Sequence, residues 1–160
     1  MRRFLTPAIV ALALAASLAG AEDPLAPYSV VSIKPAITSV IVATVSMTMP
    51  PFVRTKTVYS STYSAKVFPY FFYNEKGRIW ITVPDADLLR VAKGASVDFK
   101  GHALSDAGDE RKVDGHATPT GPYSGKIKVR VYVTRRIALV YETTYDLLGT
   151  PKARAAITPK

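Results

Sequence analysis

Cysteine is absent from all 160 residues. That single gap excludes thiol nucleophiles, iron–sulfur clusters and cysteine-ligated zinc, and it leaves no disulfide to hold the fold. A lipid anchor attached through an N-terminal cysteine is excluded with them. Histidine is almost as scarce, at two residues, and tryptophan occurs once. No G-x-S-x-G elbow is present, and two histidines leave few ways to assemble a nucleophile–base–acid arrangement. Acidic side chains are in the minority, 12 against 21 basic ones. Glu75, Glu110 and Glu142 are expected in two turns and on an exposed strand face, not converging in a cleft as carboxylate-pair chemistry requires. Nothing in the residues argues for an enzyme, and no cofactor is expected.

Long hydrophobic runs are missing too, apart from the N-terminus. Arg2-Arg3 precedes an apolar stretch from Phe4 to Leu18, and Ala19-Gly20-Ala21 supplies the small-x-small pattern of a signal-peptidase site. Residues 1–21 are therefore expected to be a cleaved signal peptide, because a spanning helix needs roughly 20 apolar residues and this stretch is shorter and carries Pro7. The protein is expected to be exported, periplasmic or secreted, with no transmembrane segment in the mature chain. Residues 22–27 are expected as an extended lead-in, 28–149 as a single β domain and 150–160 as a flexible basic tail.

The remaining 139 residues suffice for one domain with a real core. Apolar content of 48% argues against disorder. Without Arg2 and Arg3 the chain keeps 19 basic against 12 acidic side chains, a net +7. That balance suits an acidic glycan, a lipid head group or an acidic envelope protein; export argues against nucleic acid.

What is present is strand-forming sequence. From Tyr28 to Met49 the chain is rich in β-branched residues, broken at Pro35, and from Pro35 to Val53 it carries no charge. The rival to a central strand here is a membrane segment, but five Ser/Thr residues and the Pro50-Pro51 stop favour the strand. An aromatic cluster, Phe68 to Tyr73, is expected in the core. Asn74-Glu75-Lys76-Gly77 reads as a hairpin turn with Gly77 at positive φ, which would set Phe71 opposite Trp80. Asp85 to Lys93 reads as one short helix, with Asp85 or a neighbour as cap and Gly94 as its stop.

The C-terminal half alternates best. Ile127, Val129, Val131 and Val133 fall on one face of a strand, Lys126, Lys128 and Arg130 on the other. A turn at Thr134-Arg135-Arg136 leads into Ile137–Tyr145. A three-residue turn keeps both faces consistent, pairing Val131 with Leu139, Val129 with Tyr141 and Lys128 with Glu142. Many short strands and one stub of helix indicate an all-β fold, an antiparallel β-sandwich with a small β-barrel as the alternative.

Two candidate sites follow. Lys126, Lys128 and Arg130 with Arg135 and Arg136 form a basic stripe that could bind an acidic partner. Gly101-His102-Ala103 is echoed by Gly115-His116-Ala117. A hairpin centred near Asp109 would set His102 opposite His116, half of a metal site without a third ligand; two exposed residues beside close-packed glycines is the plainer reading. The loop Ser105–Glu110 lacks calcium-loop spacing. A barrel would suit an apolar ligand held between the aromatic cluster and the uncharged strand; a sandwich would suit an envelope role.

Overall fold

The computed structural model describes residues 23–149; the expected signal peptide, 1–21, and the expected basic tail, 150–160, lie outside the described residues. Ten strands run β1 Val30–Ile33, β2 Ala36–Val40, β3 Ala43–Thr48, β4 Phe52–Thr55, β5 Val58–Phe68, β6 Glu75–Thr82, β7 Val97–Ser105, β8 Glu110–Gly121, β9 Ser124–Tyr132 and β10 Ala138–Leu147. One helix, α1 Asp85–Ala92, stands between β6 and β7.

Prolines turn eight strand positions into ten strands. Proline cannot donate to a ladder, so Pro35 separates β1 from β2, and Pro50-Pro51 separates β3 from β4. Both halves still pair as one hairpin: Ala36 opposes Met47, and Val31 opposes Phe52. β5 then receives β3 along its second half and β4 along its first. Each later strand pairs antiparallel with its predecessor, and β10 returns to β1, with Val31 opposite Leu147 and Ile33 opposite Tyr145. The sheet therefore closes into an eight-stranded up-and-down barrel.

This corrects the sandwich and selects the small barrel. The uncharged stretch that suggested one interior strand is a hairpin reversing at Ile41-Val42, with Ile37, Ile41 and Val42 exposed. Pairing runs continuously from β1 around to β10, so no gap divides two sheets. The hairpin over β9 and β10 has the expected register, Val131 to Leu139, Val129 to Tyr141 and Lys128 to Glu142.

Alternation sorts the side chains by face. Ile127 and Val131 point inward with Val113, Phe99 and Tyr141, while Lys126, Lys128, Arg130, Lys112 and Glu142 are exposed. A barrel that faces lipid carries its apolar band outside; this wall is built the other way round. Among the described residues, no helix is long and apolar enough to cross a membrane.

One end of the barrel is plugged. Helix α1 lays Leu88 and Val91 into it, and a 3-10 turn over Ala26–Ser29 buries Tyr28, whose carbonyl accepts the Tyr59 hydroxyl at 2.7 Å. Within residues 23–27 the lead-in is thus turned, not extended. The helix matches its expected span and stops at Gly94, at φ +83°. Its N-cap is Pro84, without a side-chain cap, because the Asp85 carboxylate pairs with Arg54 instead.

The expected turn at 74–77 is also displaced. Residues 69–74 make the connection, and β6 already begins at Glu75, paired with Ala65. Gly77 sits within β6, where a Cβ would fall 2.1 Å from the Leu104 carbonyl oxygen; the glycine serves close packing of β6 on β7, not a turn. Trp80 lies between Ser60 and His102, so it does not face Phe71.

The closed core carries five buried tyrosines, Tyr28, Tyr59, Tyr63, Tyr141 and Tyr145. Burial pushes each hydroxyl's pKa up, Tyr145 to about 12. A raised folded-state pKa contributes stability that is complete below the unfolded value of 10.0 and is lost as pH rises through the folded values. The urea midpoint is therefore expected to stay level up to about pH 9 and fall above about pH 10. Five of the nine tyrosines should develop tyrosinate absorbance only together with unfolding; smooth titration of all nine in the folded protein would contradict this core.

Candidate functional site: an open apolar cup

The four hairpin tips at the end opposite α1 surround an opening. They are the β2–β3 tip at Ile41-Val42, the β5–β6 connection 69–74, the β7–β8 turn at 106–109 and the β9–β10 turn at 134–137. Below them lies a cavity of about 560 Å³. Side-chain size explains its position. Towards the plugged end, Phe52, Tyr59, Phe99, Tyr141 and Tyr145 fill the interior and leave only about 110 Å³. Towards the open end, inward positions hold Ala65, Ala103, Val45, Val67, Val131 and Leu139, which are too small to meet across the barrel.

The cup has one polar corner. The Tyr63 hydroxyl donates to Glu75 Oε1, and Arg111 Nη2 donates to Glu75 Oε2 at 2.9 Å. Arg111 also donates through Nη1 to the Val133 carbonyl at 3.3 Å and meets Asp109 Oδ2 at 3.4 Å. These groups line the cavity from β5, β6 and β8. Burial holds the Tyr63 hydroxyl protonated, and its hydrogen bond to Glu75 adds to this. Deeper in, Tyr141 Oη is buried without a hydrogen-bond partner in the protein; burial raises its pKa, and the negative charge of Glu75 raises it further. Two carboxylates face one guanidinium, so the corner offers hydrogen bonds and no spare positive charge.

The upper wall has a seam. The Lys34 amide donates to the Thr144 carbonyl at 3.0 Å, and the Thr143 hydroxyl donates to the Lys34 carbonyl at 3.1 Å. Beyond that point β2 pairs with β3, and no ladder joins β2 to β10 among the described residues. Val40 and Leu139 border the cup on either side of this seam.

The residues of the expected basic stripe stand among acids. Lys126, Lys128 and Arg130 project from the outer face of β9. Lys128 Nζ lies 2.8 Å from Glu142 Oε1 and, by hydrogen bond and charge, holds that carboxyl below its usual pKa. Arg130 stands between Asp114 and Val140. Arg135 and Arg136 are separate from this column: they are exposed at the rim, in a turn where Thr134 Oγ1 accepts the amides of Arg136 and Ile137.

The histidines are not opposite each other. The β7–β8 hairpin centres on Ala107, two residues earlier than expected, because Glu110 already pairs with Leu104. His102 therefore faces Lys112 and stacks on Trp80, with centroids 5.0 Å apart, while His116 faces Asp98, its Nδ1 2.7 Å from Oδ1. Among the described residues no group of three or more His, Cys, Asp or Glu is placed to hold a metal. The repeated glycine has a packing reason instead: a Cβ on Gly115 would lie 2.0 Å from the Phe99 ring.

The aromatic cluster expected in the core frames the mouth, with Phe68, Phe71, Phe72 and Tyr73 all exposed. Glu75 was invisible as a site residue because it fell in a presumed turn, and Arg111 because it adjoined the loop that starts at Ser105. The available signal was parity: counted from Ile79 and Val113, each occupies an inward position.

Comparison with known proteins gives no matching family model, no matching curated protein and no matching solved structure. The geometry alone carries the functional reading.

Two variants test this description. Gly115→Ala is expected to lower stability by ~1–3 kcal/mol through overpacking, and to be nearly neutral once Phe99→Leu has removed the ring. Arg111→Met and Glu75→Gln, alone and together, should give a coupling on the order of 1 kcal/mol in urea unfolding; additive effects would mean that the corner does not act as a unit.

Proposed function

We propose that this protein is a non-catalytic carrier that holds a single apolar or amphiphilic molecule in the cup of its barrel, outside the cytoplasm as the N-terminal segment suggests. The observation that carries the reading is the cavity: about 560 Å³, walled by aliphatic side chains and open at one end. Small-molecule sites are commonly apolar concavities of about 300–1,000 Å³ with a few placed polar groups. Tyr63, Glu75 and Arg111 at the corner are such groups. They suit a hydroxyl, amide or amine better than a carboxylate, because the guanidinium is already matched by Glu75 and Asp109.

An acidic partner on the outer stripe is the second reading. Its support lies in the exposed column of Lys126, Lys128 and Arg130, and Glu142 on Lys128 weakens it. Exposed pairs of that kind contribute little to stability, about 0–1 kcal/mol, so the pair could open for a polyanion.

An environment-sensitive apolar dye such as Nile red distinguishes the two. It is expected to bind one per chain, with at least a tenfold loss of affinity in Val67→Trp, which fills the cup from the β5 wall. Lys126→Gln/Lys128→Gln/Arg130→Gln should leave dye binding unchanged. Equal dye binding by Val67→Trp and the native protein would rule out the cup.

A further inference from the structure

Three of the four tips around the mouth expose large apolar side chains and carry no carboxylate. Ile41 and Val42 form one, residues 69–74 (Pro-Tyr-Phe-Phe-Tyr-Asn) the second, and Thr134-Arg135-Arg136-Ile137 the third. Ile41 is fully exposed, and Val42, Phe71, Phe72, Tyr73 and Ile137 are each more than half exposed, although Val42, Phe72, Tyr73 and Ile137 also border the cup. Phe72 packs only on rim neighbours, 4.6 Å from the Tyr73 ring and 5.9 Å from the Tyr70 ring. Three separate loops thus present large apolar groups at one end, where scattered single residues would need no explanation.

Strand order makes these tips an arc. Around the upper ring β10 is followed by the seam, then by β2, β3, β5 and β6. The 134–137, 41–42 and 69–74 tips are consecutive, with the seam between the first two. The fourth tip, at 106–109, carries Asp106 and Asp109 and lies across the mouth from Ile41. The rim is therefore two-sided: an apolar arc bearing two arginines, and an acidic turn facing it.

We infer that the apolar arc docks the open end of the barrel onto an anionic lipid bilayer, tilted so that the β2–β3 tip leads and the acidic turn stays in water. The occupant is chosen by composition. Aliphatic and aromatic tips bearing arginines match the boundary between acyl chains and negatively charged head groups, where aromatic rings collect and basic side chains gain from the surface potential. The lone acidic turn sets the tilt, since docking squarely would press Asp106 and Asp109 onto like charge. Arg135 and Arg136 are free for head groups, because no carboxylate pairs with either among the described residues. The inference builds on the cup reading, since the same tips frame the mouth, and it turns the mouth of the cup towards the bilayer.

Cosedimentation with vesicles tests it. The native protein is expected to bind phosphatidylcholine vesicles containing phosphatidylglycerol at least tenfold more tightly than phosphatidylcholine alone at low salt. Ile41→Ser/Phe72→Ser should lose at least tenfold of that binding at low and high salt. Arg135→Gln/Arg136→Gln should lose severalfold at low salt only. All these positions are exposed, so unchanged thermal unfolding will show the variants folded. Val67→Trp should still bind vesicles, which separates docking from cargo: vesicle binding without dye binding overturns the cup, and dye binding without vesicle binding overturns the docking. Equal vesicle binding by native protein and Ile41→Ser/Phe72→Ser also overturns it. So does self-association that this double variant abolishes in the absence of vesicle binding, which would make a second copy the occupant.

Discussion

The return of β10 to β1 is the constraint on which the molecule depends. A sheet closed in this way fixes an inside and an outside at every residue. Because pleat alternates the side chains, a one-residue slip in any ladder would turn a whole apolar column into water and a charged column into the core. In a chain without cysteine, that parity is what specifies a single register. The row Asp98, His116, Lys128 and Glu142, which crosses four strands on the outer wall, supports the same register by setting Asp98 against His116 and Glu142 against Lys128. Each pair is worth little, but the wrong register would bring like charges together.

Closure alone does not make a cup; the gradient of side-chain size along the axis does. Large rings near α1 meet across the barrel and exclude water. Alanine and valine near the mouth cannot span the same distance, and what they leave is space. The glycine contacts belong to the filled half: Gly115 has no side chain because the Phe99 ring occupies that volume. Polar atoms are similarly graded, with the Arg111 guanidinium and Glu75 carboxylate near the mouth, where water and neighbouring strands satisfy them, and hydroxyls alone further in.

Much of this was legible from local pattern. Strict alternation from Lys126 to Val133 and the turn at Thr134 determined the β9–β10 register, since only one loop length keeps both faces consistent. The acid-to-base polarity of Asp85–Lys93 and the glycine after it gave the helix. Failures came where tertiary partners decide. Nineteen residues without charge resemble a buried strand, and a reversal at Ile41-Val42 carries no glycine, asparagine or aspartate to announce it. Gly77 resembled a turn residue because a tight turn and a close strand approach ask for the same missing side chain. The Phe68–Tyr73 cluster was assigned to the core on hydrophobicity, which cannot tell an interior from a rim. The histidine pair failed on a two-residue error in the centre of one hairpin, enough to move His116 from His102 to Asp98.

Pro35 has a mechanical consequence. Below it, β1 is joined by ladders on both sides, to β4 and to β10; above it, β2 has a ladder to β3 alone and packs beside β10 without one. The barrel therefore has a rigid base and a split collar, like a collet, and the β2–β3 hairpin can lean outward without breaking a ladder to β10. The wall at the mouth thus includes a strand held by one ladder, whereas its continuation at the base is held by two.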